Sequence, residues 1–119
     1  LSAMNQKFVV VVGGGYLARV MANKTRANGG TEFDADMSAI KITRKNALAL
    51  AKHCKKAPKT IPKTFEAIKR LLPEHKLIFM GGTIPGITTD TDAVLIAEML
   101  RAKRVVNISS IAHIYNKDP

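Results

Sequence analysis

Four consecutive valines running into three glycines constrain this chain more than any other feature. Residues 7–12 read Lys-Phe-Val-Val-Val-Val and lead directly into Gly13, Gly14 and Gly15. An unbroken β-branched run, with no polar residue at alternate positions, fits a strand buried on both faces. Such a strand needs helices above and below it, which points to a parallel α/β sheet. The pattern recurs. Residues 76–80 (Lys-Leu-Ile-Phe-Met) form a second strand and are followed by Gly81 and Gly82, and residues 104–108 (Arg-Val-Val-Asn-Ile) form a third.

Helices fill the intervals. Residues 16–27 carry a helical pattern that Asn28, Gly29 and Gly30 stop. Residues 31–35 read as connector. The longest helix is expected over 36–56, where Ile40, Thr43, Ala47, Leu50, Ala51 and Cys54 share one face and Lys41, Lys45, Lys52 and Lys55 lie off it. Pro58 and Pro62 leave room for only a very short strand between them. Thr64 caps a helix over 65–72 that turns Phe65, Ile68, Leu71 and Leu72 inward, and Pro73 ends it. Thr89 and Asp92 have capping-box spacing before a helix over 90–101. That helix is apolar nearly all round, so it is expected to be well buried. Residues 109–119 read as loop. The expected fold is a three-layer αβα arrangement around an open, mainly parallel sheet.

Strands that end in glycine and run into helices place ligand sites at the carboxyl edge of a parallel sheet. Glycine lets the backbone approach an anion, and the first N–H groups of the helix point at it. One loop is Gly13-Gly14-Gly15, with Arg19 about one turn into the helix that follows. The other runs through Gly81, Gly82, Thr83, Ile84, Pro85, Gly86, Ile87, Thr88 and Thr89 to Asp90. For either loop alone, a tight turn with no ligand is equally open. Two in one small sheet favour phosphate binding. Neither loop is a Walker A motif and neither carries the dinucleotide fingerprint, so the reaction class stays open on this ground.

Charge and cysteine narrow the setting. The chain has 119 residues and a net charge of +10, concentrated between residues 41 and 76, where eleven Lys or Arg face Glu66 and Glu74 alone. The segment reads as a solvated basic surface. Only Phe65 is interleaved with the lysines, so stacking on nucleic-acid bases is poorly supported. The single cysteine, Cys54, cannot form an internal disulfide, which fits a reducing compartment. No apolar run reaches the roughly 20 residues of a membrane span, and residues 1–6 lack a leader's basic and apolar regions. A cytoplasmic setting, with no membrane partner, is the expectation. His53, His75 and His113 form no metal-ligand cluster, and no protein-held metal is expected.

Five segments then carry a resemblance by their order and spacing. They are residues 10–19 (Val-Val-Val-Gly-Gly-Gly-Tyr-Leu-Ala-Arg), 40–47 (Ile-Lys-Ile-Thr-Arg-Lys-Asn-Ala), 81–90 (Gly-Gly-Thr-Ile-Pro-Gly-Ile-Thr-Thr-Asp), 96–98 (Ile-Ala-Glu) and 115–119 (Tyr-Asn-Lys-Asp-Pro). Together they resemble the archaeal UMP (uridylate) kinases of the amino-acid-kinase superfamily. The resemblance covers residues 1–119 as the central part of one such domain, with the UMP-binding half and the start of the ATP-binding half. It implies the acetylglutamate-kinase-like fold, transfer of the ATP γ-phosphoryl group to UMP in pyrimidine nucleotide synthesis, Mg²⁺ with the ATP, and assembly as hexamers.

Carried over by position, the resemblance assigns UMP contacts to Gly14, Asp36, Thr83, Ile84, Pro85, Gly86, Ile87, Thr88 and Thr89. Within that set Asp36 would take the ribose hydroxyls. ATP contacts fall to Gly15 and Arg19 at the phosphates, and to Ser109, Ser110, Tyr115 and Asp118 toward the base. Catalytic groups are expected outside these residues, on a Gly-Gly-Ser strand before Leu1 and in the rest of the ATP lobe beyond Pro119, so the 119 residues alone are expected to be inactive. Ala112 and His113 stand where the family has Asp and Gly. They motivate a different reading, a non-catalytic nucleotide-binding or oligomerisation protein. The sequence is also compatible with a sister kinase of the superfamily, such as acetylglutamate or isopentenyl-phosphate kinase, and, more weakly, with a basic nucleic-acid-binding module.

Overall fold

The computed structural model describes residues 7–101 and 106–108. Three strands, β1 (Phe8–Val12), β2 (Leu77–Met80) and β3 (Val106–Ile108), form a parallel sheet in the order β2-β1-β3. β1 is central and buried along its whole length, as its uninterrupted apolar sequence requires. Alternate residues face opposite layers. Val10 and Val12 pack with Phe79 against Ala47 and Ala51 of helix α2 (Glu32–Ala51). Val9 and Val11 pack with Met80 against Ile68 of α3 (Phe65–Leu71) and Ala93 and Ile96 of α4 (Thr89–Leu100). Burying each large aliphatic here stabilises the fold by about 1.5–3 kcal/mol. The expected three-layer αβα architecture is therefore present, with α1 (Gly15–Ala27) lying against α2.

The register matters for function. Val11 pairs with Met80 and Val12 with Ile108, all strands running the same way. The glycines after β1 and after β2 therefore leave the sheet side by side at its carboxyl edge.

Local chemistry explains the helix ends, including several that sequence reasoning misplaced. The segment 31–35 is not connector. Thr31 Oγ1 accepts from the Asp34 amide at 3.1 Å and Asp34 Oδ2 from the Thr31 amide at 3.0 Å, a complete capping box that starts α2 at Glu32. The far end comes earlier than expected, at Ala51, where a series of turns begins. Lys59 Nζ closes these turns by donating to the carbonyls of Cys54 and Ala57 at 2.7 and 2.8 Å. That folded connector leaves no strand between Pro58 and Pro62. At α4 the cap is Thr88, whose Oγ1 accepts from the Thr91 amide at 3.1 Å. Asp92 is turned inward and does not close a capping box. α4 is also less buried than its composition implies: among its apolar residues only Ala93 and Ile96 are buried, while Val94 is 60% exposed. Among the described residues no helix is long and apolar enough to cross a membrane.

Helix α2 packs closely against the backbone just beyond β2, at Gly81 and Gly82. A Cβ on Gly81 would lie 2.5 Å from Thr43 Oγ1 and 2.7 Å from the Arg44 amide nitrogen. At Gly82, the amide donates to Thr43 Oγ1 at 2.7 Å, and that hydroxyl donates to the Ile40 carbonyl at 2.6 Å. Two outcomes follow, both read from denaturant midpoints. Gly81→Ala forces α2 off the sheet and lowers stability by about 1–3 kcal/mol. Thr43→Val keeps the side-chain shape but strands a buried amide, at about 1–3 kcal/mol, whereas Thr43→Ser loses less because it keeps the hydroxyl.

Candidate functional site

A cavity of about 360 Å³ opens where the two glycine loops meet α2. That is within the size range of small-molecule sites, roughly 300–1,000 Å³. Gly14 and Ala18 supply one wall from the start of α1. Gly82 and the turn Gly86, Ile87, Thr88 and Thr89 supply the opposite wall. The floor is one stripe of α2: Asp36, Ala39, Ile40 and Thr43. Asp36, Ile40 and Thr43 are spaced i, i+4 and i+7, so they recur on one face two turns long.

Close packing makes the walls. A Cβ at Gly14 would meet the Ala18 Cβ at 2.2 Å, so backbone stands where a side chain would otherwise crowd the space. Gly86 has φ +90°, a left-handed conformation that glycine adopts without strain. Its amide donates to Asp36 Oδ2 at 2.9 Å, tying the loop across the cavity to α2. Asn46 Nδ2 donates to the Gly13 carbonyl at 3.0 Å and anchors the other loop to the same helix.

The two helix starts differ electrically. α1 begins at Gly15 with no side-chain cap and no acidic residue in its first turn. Its leading N–H groups and positive dipole end suit an anion. α4 carries Asp90 and Asp92 in its first turn and is capped by Thr88.

Behind the second loop lies a polar cluster. Arg44 donates through Nε to the Gly82 carbonyl at 3.1 Å and through Nη2 to the Thr83 carbonyl at 3.0 Å. The Thr83 hydroxyl donates to Asp92 Oδ1 at 2.8 Å. Burial pushes the Asp92 carboxyl above the usual carboxylate range, against the opposing pull of Thr83 and of the Arg44 charge. Burial lowers Arg44, against the pull of Asp92; a guanidinium nevertheless stays charged.

The residues expected from sequence thus fall into four groups. Gly14, Asp36, Gly86, Ile87, Thr88 and Thr89 surround the cavity. Thr83, Ile84 and Pro85 do not line it: Thr83 is buried against Asp92, and Ile84 is exposed. Gly15 and Arg19 lie at the start of α1 outside the lining, with Arg19 exposed. Ser109, Ser110, Tyr115 and Asp118 lie outside the described residues, as do Ala112 and His113. Sequence reasoning passed over Ala18, Ala39, Ile40 and Thr43 as lining residues, and Arg44 and Asp92 as their support; Gly82 belonged to the second glycine loop but was given no ligand contact of its own. The available clue was the α2 stripe. Ile40 and Thr43 read as core from their spacing, and extending that stripe one turn back reaches Asp36. Among the described residues no group of three or more His, Cys, Asp or Glu side chains is placed to hold a metal ion.

Comparison with known proteins agrees with this architecture. The family model described as the amino acid kinase family matches residues 1–119. The uridylate kinase of Archaeoglobus fulgidus is 38% identical over 119 residues, which is 100% of this chain and 54% of that protein. The uridylate kinase of Thermoplasma volcanium is 39% identical over 118 residues, 99% of this chain and 52% of that protein. The crystal structure of the Archaeoglobus fulgidus uridylate kinase superposes with a TM-score of 0.83 at 38% identity, covering 89% of this chain and 49% of that one. The chain spans about half the length of the curated relatives it matches. A parallel αβα sheet with paired glycine loops, and a family match from the first residue to the last, lead to one conclusion: the chain belongs to the amino acid kinase family.

Proposed function

We propose that this chain forms the acceptor-nucleotide half of an ATP-dependent kinase that converts UMP to UDP in pyrimidine nucleotide synthesis. The observation that carries the reading is the cavity itself. It joins a carboxylate, a glycine turn and an uncapped helix start at the carboxyl edge of a parallel sheet. Relatives 38–39% identical over nearly the whole chain are named uridylate kinases, which supplies the substrate class.

Phosphoryl transfer asks little covalent chemistry of a protein; it asks that acceptor and donor be held in line with their charge offset. In this reading Asp36 accepts from the ribose hydroxyls, and the turn at Gly86, Ile87, Thr88 and Thr89 follows the nucleotide with backbone amides and hydroxyls. Thr83, Ile84 and Pro85 act by shaping that turn. Gly14 lets the chain approach the phosphate. Gly15 and the first turn of α1 stabilise negative charge where the two phosphate groups meet, with Arg19 alongside. Ser109, Ser110, Tyr115 and Asp118 are assigned by sequence position to the base end of ATP. Mg²⁺ arrives with the ATP phosphates as part of the substrate, a role that needs few protein ligands. The enzyme works in the cytoplasm, as a homo-oligomer.

Titration calorimetry on the full-length protein tests this reading. UMP binds in preference to dUMP, and Asp36→Ala weakens UMP by roughly 10–100-fold, the value of one or two charge-assisted hydrogen bonds. The same variant levels UMP with dUMP. A protein that binds neither nucleotide, or an Asp36→Ala variant that keeps the preference, sinks the proposal.

A further inference from the structure

Asp92 is placed where an apolar residue would be easier to accommodate. It sits in the first turn of α4 with no exposed surface, on the helix that buries Ala93 and Ile96 against the sheet. Its Oδ1 accepts from the Thr83 hydroxyl, while its Oδ2 is buried and has no hydrogen-bond partner among the described residues. A buried carboxyl with an unused oxygen destabilises a fold relative to a well-packed apolar side chain. Stability alone therefore does not account for it.

Its geometry gives an account. Thr83 is the second residue beyond Gly81, where the β2 ladder has stopped. Three side chains hold this short stretch from two helices. From α2, Thr43 takes the Gly82 amide and Arg44 takes the Gly82 and Thr83 carbonyls. From α4, Asp92 takes the Thr83 hydroxyl at 2.8 Å. Gly82 lines the cavity, and the chain proceeds from Thr83 to the turn at Gly86 that faces Asp36. Without Asp92 the side chains that grip the stretch, among the described residues, come from α2. Rotation about Thr83 would then shift the turn relative to the floor.

We propose that Asp92 is a positioning residue for the acceptor nucleotide: through the Thr83 hydroxyl it fixes the exit of β2, so that the turn at Gly86, Ile87, Thr88 and Thr89 meets the ligand in one conformation. The inference rests on reading the cavity as the UMP site. Asp92 touches no substrate itself; it acts through Thr83.

The test uses Asp92→Val, Asp92→Asn, Thr83→Val and Thr83→Ser in the full-length protein. Valine at either position removes the hydrogen bond with little change of volume, while Asn and Ser retain it. The KM for UMP rises roughly tenfold in Asp92→Val and in Thr83→Val, since modest misplacement of binding groups is costly. The KM for ATP stays put. The double valine variant is no worse than Asp92→Val alone, because that change already removes the partner of the Thr83 hydroxyl. Asp92→Asn and Thr83→Ser stay within about threefold of wild type. Amide exchange at Gly82 and Gly86 quickens in Asp92→Val, while exchange in β1 does not.

Valine variants that melt earlier yet keep the wild-type KM for UMP and the wild-type exchange at Gly86 would make Asp92 merely structural and overturn the inference. Should Asp92→Val fail to fold, Thr83→Val and Asp92→Asn carry the same comparison. If wild type binds no UMP, the substrate assignment falls, and the exchange measurement still decides whether Asp92 holds the turn.

Discussion

The contact between the middle of α2 and the pair Gly81-Gly82 is the constraint on which the rest of the molecule depends. No side chain fits at Gly81, so the helix lies against strand-end backbone. The Thr43 hydroxyl then replaces the missing ladder bond by accepting from the Gly82 amide at 2.7 Å. A buried amide left without a partner at this point would be costly. The contact also sets the position of everything upstream on α2. Asp36 lies seven residues before Thr43, two turns away on the same face, and so overhangs the carboxyl edge of the sheet. Distance from Thr43 thus determines which residue of α2 can face a ligand.

That edge is electrically uneven, and the unevenness has a structural origin. The first loop runs into α1 without a capping side chain, so the amides of its first turn stay available to an anion. The second loop runs into a helix that is capped by Thr88 and carries two carboxyl groups. Negative charge placed between the two loops is drawn to the α1 side. Polar and hydroxyl-bearing parts of a ligand fit the α4 side. A nucleoside monophosphate has both kinds of group at its two ends.

How far this was legible in the sequence depends on whether a residue's role is local. The valine run at residues 9–12 could be read directly, because a strand buried on both faces leaves no other composition open to it. The stop at Asn28 and Gly29 was equally plain, since Gly29 adopts φ +91° where a side chain would be strained. The start of α2 was missed because Gly29, Gly30 and Thr31 look like continuing loop until Asp34 is seen to close the box on Thr31. Asp92 misleads for a different reason. Its spacing from Thr89 imitates a capping box, and only tertiary packing shows the carboxyl turned to Thr83, nine residues earlier. The burial of α4 was overestimated because an all-apolar composition does not say which face meets the sheet; Val94 and Leu95 face outward. Thr83, Ile84 and Pro85 share a loop with the lining residues, yet position in a loop does not fix which residues turn inward.

The backbone groups beyond β2 show how such a loop can be held by several bonds at its root and by fewer at its tip. Gly82 N–H, Gly82 C=O and Thr83 C=O would be orphaned where the ladder ends, and Thr43 and Arg44 satisfy all three. Farther on, the Gly86 amide is held by Asp36, whose bond to it lies at the exposed surface. Binding a ligand at the tip therefore needs little ordering of the root, which reduces the conformational cost of association. It also means that a ligand group approaching Asp36 meets a carboxylate already oriented by the turn it must contact. Recognition by α2 and recognition by the loop are in this way coupled through one hydrogen bond, and a change in either wall of the cavity is felt at the other.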